Sequence, residues 1–151
     1  MKETLQFHAS CVAFGTQAVL IRGKSGSGKS NLVLRLIDAE GFGLGDAPRR
    51  ATLVADDQVI LTKTDRALLA SPPQVLQGKL EVRGLGIIEL NWVSHIPLCM
   101  VVDLLDKDEI PRMPDAAELE TEIMGQNFPR LLLNASAPGA AAILRSKCFS
   151  L

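Results

Sequence analysis

The octet Gly23-Lys24-Ser25-Gly26-Ser27-Gly28-Lys29-Ser30 fits the pattern G-x-x-x-x-G-K-[ST] at every fixed place. A triphosphate needs many donors crowded around it, and glycines let successive backbone N–H groups turn inward with no Cβ in the way. In this pattern Lys29 reaches the β- and γ-phosphates, and the Ser30 hydroxyl ligates magnesium. The helix that starts beside them aims its partial positive end at the anion. The flanks agree. Ala18-Val19-Leu20-Ile21 is a short apolar run with strand character, and Asn31-Leu32-Val33-Leu34-Arg35-Leu36-Ile37 reads as a helix. Strand, loop and helix follow in the required order, so residues 23–30 predict a P-loop for a nucleoside triphosphate with magnesium.

Outward from the octet, Leu5 to Phe14 reads as the first arm of a hairpin, turned by Gly15-Thr16-Gln17 into the strand that feeds the loop. After the helix, the glycines, proline and charges between Gly41 and Arg50 predict a loop. Thr52-Leu53-Val54-Ala55 reads as a strand ending at Asp56-Asp57, and Val59-Ile60-Leu61-Thr62 as another before a charged turn. Gly86-Ile87-Ile88-Glu89-Leu90 and the run from Pro97 to Leu105 are further strands, the second a buried central one. The acidic segment from Asp106 to Glu120 contains two prolines and predicts an exposed connection, whereas Ala137 to Arg145 reads as a helix. Several consecutive strands with two helices break strict βαβ alternation. They predict an α/β fold built on a mixed sheet with antiparallel pairs and flanking helices.

With 151 residues, no repeats and no dividing linker, residues 1–151 make one domain. Hydrophobic residues are 47% and aromatics 4%, so the core is built from aliphatic side chains and offers no stacking platform for nucleic acid. A net charge of −1 gives no general pull toward nucleic acid or an anionic membrane. No stretch approaches the roughly 20 apolar residues of a membrane span, and no signal peptide opens the chain, so the expected location is cytoplasmic. Cys11, Cys99 and Cys148 lack paired spacing and read as buried or partly buried thiols.

Phosphoryl transfer also needs carboxylates near the metal, and Asp56-Asp57 supplies two at a strand end. Neighbours on an extended strand point to opposite faces, so both serve one site only if the chain bends there. A plain pair of turn aspartates is the alternative. Likewise Glu81 and Arg83 alternate along a strand, where an ordinary cross-strand ion pair would also account for them.

His8, the octet, Leu53 to Val59 and Leu80-Glu81-Val82-Arg83-Gly84-Leu85-Gly86-Ile87-Ile88 together closely resemble the catalytic domain of bacterial HPr kinase/phosphorylase. The resemblance covers residues 5 to 90 well and fades beyond. It implies an ATP- and Mg2+-dependent serine kinase acting on the phosphocarrier protein HPr, with a reverse, phosphorolytic reaction in many members. The implied fold is a phosphoenolpyruvate-carboxykinase-like P-loop domain. It further implies Asp56 as acid/base toward the substrate serine, with His8 tuning it. Ser30, Asp57 and Glu81 would gather magnesium, Lys29 would neutralise the transferring group, and Arg83 would belong to the phosphorolytic motif.

Lys24 and Asn31 stand where members usually carry acids, which makes the loop more positive. Gln126 stands where members carry a catalytic arginine, and Arg130 is the candidate to replace it. The separate N-terminal domain of many members is expected to be missing. The family's homo-oligomer uses C-terminal contacts, which leaves assembly open. The alternative to an enzyme is a nucleotide-sensing module with weak transfer.

Overall fold

The computed structural model describes residues 3–150. Strands β1 (Thr4–Phe7), β2 (Ser10–Phe14) and β3 (Gln17–Arg22) lead to helix α1 (Lys29–Asp38). Strands β4 (Thr52–Ala55), β5 (Val59–Lys63), β6 (Leu68–Ser71), β7 (Lys79–Val82), β8 (Gly86–Glu89) and β9 (Ile96–Leu104) follow. Strands β10 (Glu120–Ile123) and β11 (Gln126–Leu133) precede helix α2 (Ala140–Cys148).

Nine strands form one mixed sheet in the order β1-β5-β6-β9-β3-β2-β4, with β11 also on β9 and β10 on β11. Strand β9 has nine residues, enough to serve two neighbours on one side. Its start pairs antiparallel with β6, and its end pairs parallel with β11. Its other side pairs parallel with β3, the strand that feeds the glycine-rich loop. The run of Leu98, Met100, Val101, Val102 and Leu104 is buried throughout, as a central strand covered on both faces requires.

Period-two alternation divides the core between the faces. Val12, Val19, Ile21, Met100 and Val102 pack against Leu32, Val33 and Leu36 of α1 and Leu144 and Cys148 of α2. Cys11, Leu20 and Val101 turn the other way, against Leu61, Leu68 and Phe128. The buried positions 29, 32, 33 and 36 of α1 repeat with helical spacing and form one face. The open carbonyls at its end are met from α2. Arg145 is 5% exposed and donates to Leu36 O at 3.4 Å, Ala39 O at 2.6 Å and Arg49 O at 3.0 Å.

The mixed sheet, the β2–β3 hairpin, the central strand and both helices agree with the sequence reading. The cysteines are free thiols, two buried and one partly so. Several elements differ. Strand β1 leaves the hairpin and pairs with β5 on the far edge, because the chain breaks direction at His8-Ala9. Strands β7 and β8 pair only with each other, and Arg83 lies in the turn beyond β7 rather than on it. No cross-strand ion pair joins Glu81 and Arg83 among the described residues. Strands β6, β10 and β11 carry no alternation strong enough to announce them. No helix among the described residues is long and apolar enough to cross a membrane, which leaves strand-built spans untouched.

Candidate functional site

The glycine-rich loop leaves the C-terminal end of β3 and closes with Ser27 N–H donating to Lys24 O at 3.0 Å. Gly26 and Gly28 have φ of +82° and +97°, a region that side chains with a Cβ rarely enter. A Cβ on Gly28 would also stand 2.9 Å from the Ala135 Cβ, so the loop is pressed against the segment after β11. The first N–H groups of α1, next to the loop, have no partner within the helix. Lys29 is 8% exposed, and its ammonium folds back to donate to Gly23 O at 2.6 Å and Lys24 O at 3.1 Å.

Beside the loop lies a cavity of about 570 Å³, lined among others by Ser25, Gly26, Gly28, Lys29, Ser30, His8, Asp57, Glu81 and Arg83. Residues from four separate stretches therefore line one cavity. The hairpin of β7 and β8 brings Glu81 and Arg83, the break between β1 and β2 brings His8, and the bend after β4 brings Asp57.

The two aspartates divide sharply. Asp57 has φ +69°, a left-handed residue that bends the chain at the strand end. The bend turns its side chain outward, 64% exposed, with His8 Nε2 3.3 Å from Oδ1. Asp56 stays 6% exposed behind Ser30. Its carboxylate accepts the Ser30 hydroxyl at 2.9 Å, the Ser10 hydroxyl at 2.8 Å and the Glu81 N–H at 3.4 Å. Asp56 is not among the cavity's lining residues, whereas Asp57 is.

Arg130 is not brought to the cavity. It sits on β11 with its Nε donating to Asp103 Oδ2, while Arg22 Nε donates to Asp103 Oδ1 at 2.7 Å and Arg22 also reaches Thr121. Burial pushes the Asp103 carboxyl up, but the hydrogen bonds and charges of Arg22 and Arg130 outweigh it and hold the group below the usual carboxylate range. Its position four residues after Gln126 placed Arg130 near the site in sequence; pairing of β11 with β9 carries it to Asp103 instead. Sequence reasoning also passed over Ser10 and Asp103. The signal for each was a lone polar residue inside an apolar strand.

The HPr Serine kinase C-terminal domain model matches residues 1–94. The chain belongs to that family. An HPr kinase/phosphorylase of Streptococcus thermophilus is 31% identical over 142 residues, which cover 87% of this chain and 42% of that relative. One from Bordetella pertussis is 33% identical over 137 residues, covering 83% of this chain and 41% of its own length. The chain thus spans about two-fifths of the length of these curated relatives. A solved structure described as the Hpr(Ser) kinase/phosphatase from Coxiella burnetii superposes with a TM-score of 0.76 at 25% identity, covering 97% of this chain and 92% of that one.

Proposed function

We propose that this chain is an ATP- and Mg2+-dependent kinase that phosphorylates a serine of the phosphocarrier protein HPr. The observation that carries the proposal is the convergence of Lys29, Ser30, Asp57, Glu81, Arg83 and His8 on one cavity beside the glycine-rich loop. Family membership supplies the acceptor.

The residues fit a magnesium triphosphate. The Lys29 ammonium holds only two carbonyls of its own loop, contacts that phosphate oxygens can replace. The Ser27 hydroxyl is buried with no hydrogen-bond partner among the described residues, a spare donor inside the loop. The Ser30 hydroxyl already lies against a carboxylate, the pair that P-loop proteins use to hold magnesium. Ser30, backed by Asp56, and Glu81, which lines the same cavity, would hold the ion, and magnesium when bound would neutralise phosphate charge.

Transfer itself asks mainly for alignment. The substrate serine oxygen attacks the γ-phosphorus, the bond to the bridging oxygen breaks, and ADP departs. Lys29 balances charge on the transferring group. The serine proton needs an acceptor open to the cavity, and Asp57, steadied by His8, is the open aspartate. Asp56, enclosed by three donors, suits the metal side. This assignment exchanges the roles of the two aspartates implied by the resemblance, where Asp56 was the acid/base and Asp57 a ligand. Arg83 offers a cation for inorganic phosphate in the reverse direction. ATP would fill the loop through residues 23–30, in a P-loop domain of the phosphoenolpyruvate-carboxykinase kind.

A second reading, a nucleotide sensor without efficient transfer, draws on one observation: Arg130 is committed to Asp103, and Gln126 offers no guanidinium. Incubation with HPr, ATP and Mg2+ followed by intact mass separates the two. One added phosphate on an HPr serine supports the kinase, whereas tight ATP binding without transfer favours the sensor.

A further inference from the structure

Ser10 is 0% exposed, the one hydroxyl in strand β2, whose other members are Cys11, Val12, Ala13 and Phe14. A buried hydroxyl on an apolar strand costs desolvation unless it is bonded, and alanine would fit the same strand without that cost. The Ser10 hydroxyl is bonded on both sides. It donates to Asp56 Oδ1 at 2.8 Å and stands 3.4 Å from the Asp57 N–H, which points to it as donor. Two further contacts stitch the same stretch together: Ala9 N–H donates to Asp57 O at 3.1 Å, and His8 meets the Asp57 side chain. His8 and Ser10 thus grip the bend from its open and closed sides. Asp56 Oδ1 is shared by the hydroxyls of Ser10 and Ser30, so the direction of one carboxylate fixes the place of Ser30 in the first turn of α1.

We propose that Ser10 is a positioning residue for the metal side of the site, holding the Asp56 carboxylate so that the Ser30 hydroxyl is presented toward the cavity. The inference rests on the kinase reading above and goes beyond it by giving a role to a residue that never touches the nucleotide. Residues that orient a ligating group from behind commonly change metal affinity about 10- to 100-fold when removed. A purely structural Ser10 would instead act through fold stability and would weaken ATP binding whether or not magnesium were present.

The test compares the whole chain with Ser10→Ala and Ser10→Thr, using calorimetric titration of ATP with and without Mg2+, thermal melting, and the Mg2+ dependence of HPr phosphorylation. The expected result is a rise of about 10-fold or more in the Mg2+ needed by Ser10→Ala, with metal-free ATP affinity kept within about 2-fold. Ser10→Thr, which keeps the hydroxyl, should recover most of the loss. An unchanged Mg2+ requirement in Ser10→Ala, or equal weakening with and without the ion, would overturn the proposal while leaving the kinase reading intact. Failure of the wild-type chain to bind ATP in a Mg2+-dependent way would instead refute the kinase reading, and this inference with it.

Discussion

Replacing Lys29 by methionine separates the loop's ligand duty from its structural duty. The methionine keeps an unbranched stem in the buried slot and removes only the ammonium, which holds Gly23 O at 2.6 Å and Lys24 O at 3.1 Å. Losing two hydrogen bonds is opposed by no longer burying a charge, so melting of the free protein should move by only a few degrees. Binding is different. Hydrogen bonds from a charged donor contribute about 1.5–3 kcal/mol each, so losing two to a triphosphate costs about 3–6 kcal/mol. That is roughly 10²- to 10⁴-fold in affinity. Ligand at about 100 times its dissociation constant stabilises by about 2.7 kcal/mol, which for a domain of this size raises melting by roughly 5–11 °C. At the same ATP concentration Lys29→Met should show a rise of no more than about 2 °C. Thermal melting with and without Mg2+-ATP reads both quantities. A variant that keeps the full wild-type rise would refute the placement of the triphosphate in this loop.

Other outcomes follow from the same geometry. Asp57→Asn should keep ATP binding and lose phosphoryl transfer about 10²-fold or more, whereas Asp56→Asn should chiefly raise the Mg2+ requirement; the opposite pattern would restore the roles first implied for the pair. Asp103→Asn should destabilise by about 2–3 kcal/mol at neutral pH, because two arginines lose a charged acceptor. The folded Asp103 carboxyl is held low, so its contribution is present above the unfolded value of about 3.9 and fades as pH falls below it. Wild type and variant should therefore differ in denaturant melts at pH 7 and draw together as the pH falls below about 3.9. Arg145→Ala should cost about 2–3 kcal/mol, seen as roughly 5–10 °C in melting, by stripping the donors from the end of α1.

The parts legible in the sequence are those encoded locally. The octet announces strand, loop and helix because its glycines, lysine and serine do their work within eight consecutive residues. The run from Pro97 to Leu105 is apolar on both alternating faces and so declares a central strand. What stayed hidden depends on partners far along the chain. Strands β10 and β11 exist because β9 offers its second half as a free edge, and no periodicity in residues 120–133 states that. Asp56 and Asp57 looked equivalent in sequence, with a bend as the condition for sharing a site; φ +69° at Asp57 supplies the bend and at the same time sends the two carboxylates to different places. Arg130 looked near the site by numbering alone, yet the register of β11 on β9 pairs it with Val101, two residues from Asp103. Ser10 shows in the sequence only as a lone hydroxyl on an apolar strand, and only the packed structure sets it against Asp56.

A crystal structure with a non-hydrolysable ATP analogue and Mg2+ tests the central claim most directly. The expected result is phosphates wrapped by residues 23–30, Lys29 swung from its two carbonyls to the γ-phosphate, the Ser30 hydroxyl on the ion with Asp56 behind it, and Asp57 open beside the γ-phosphorus. Phosphates lying outside the loop, or an ion with neither Ser30 nor Glu81 near it, would contradict the account.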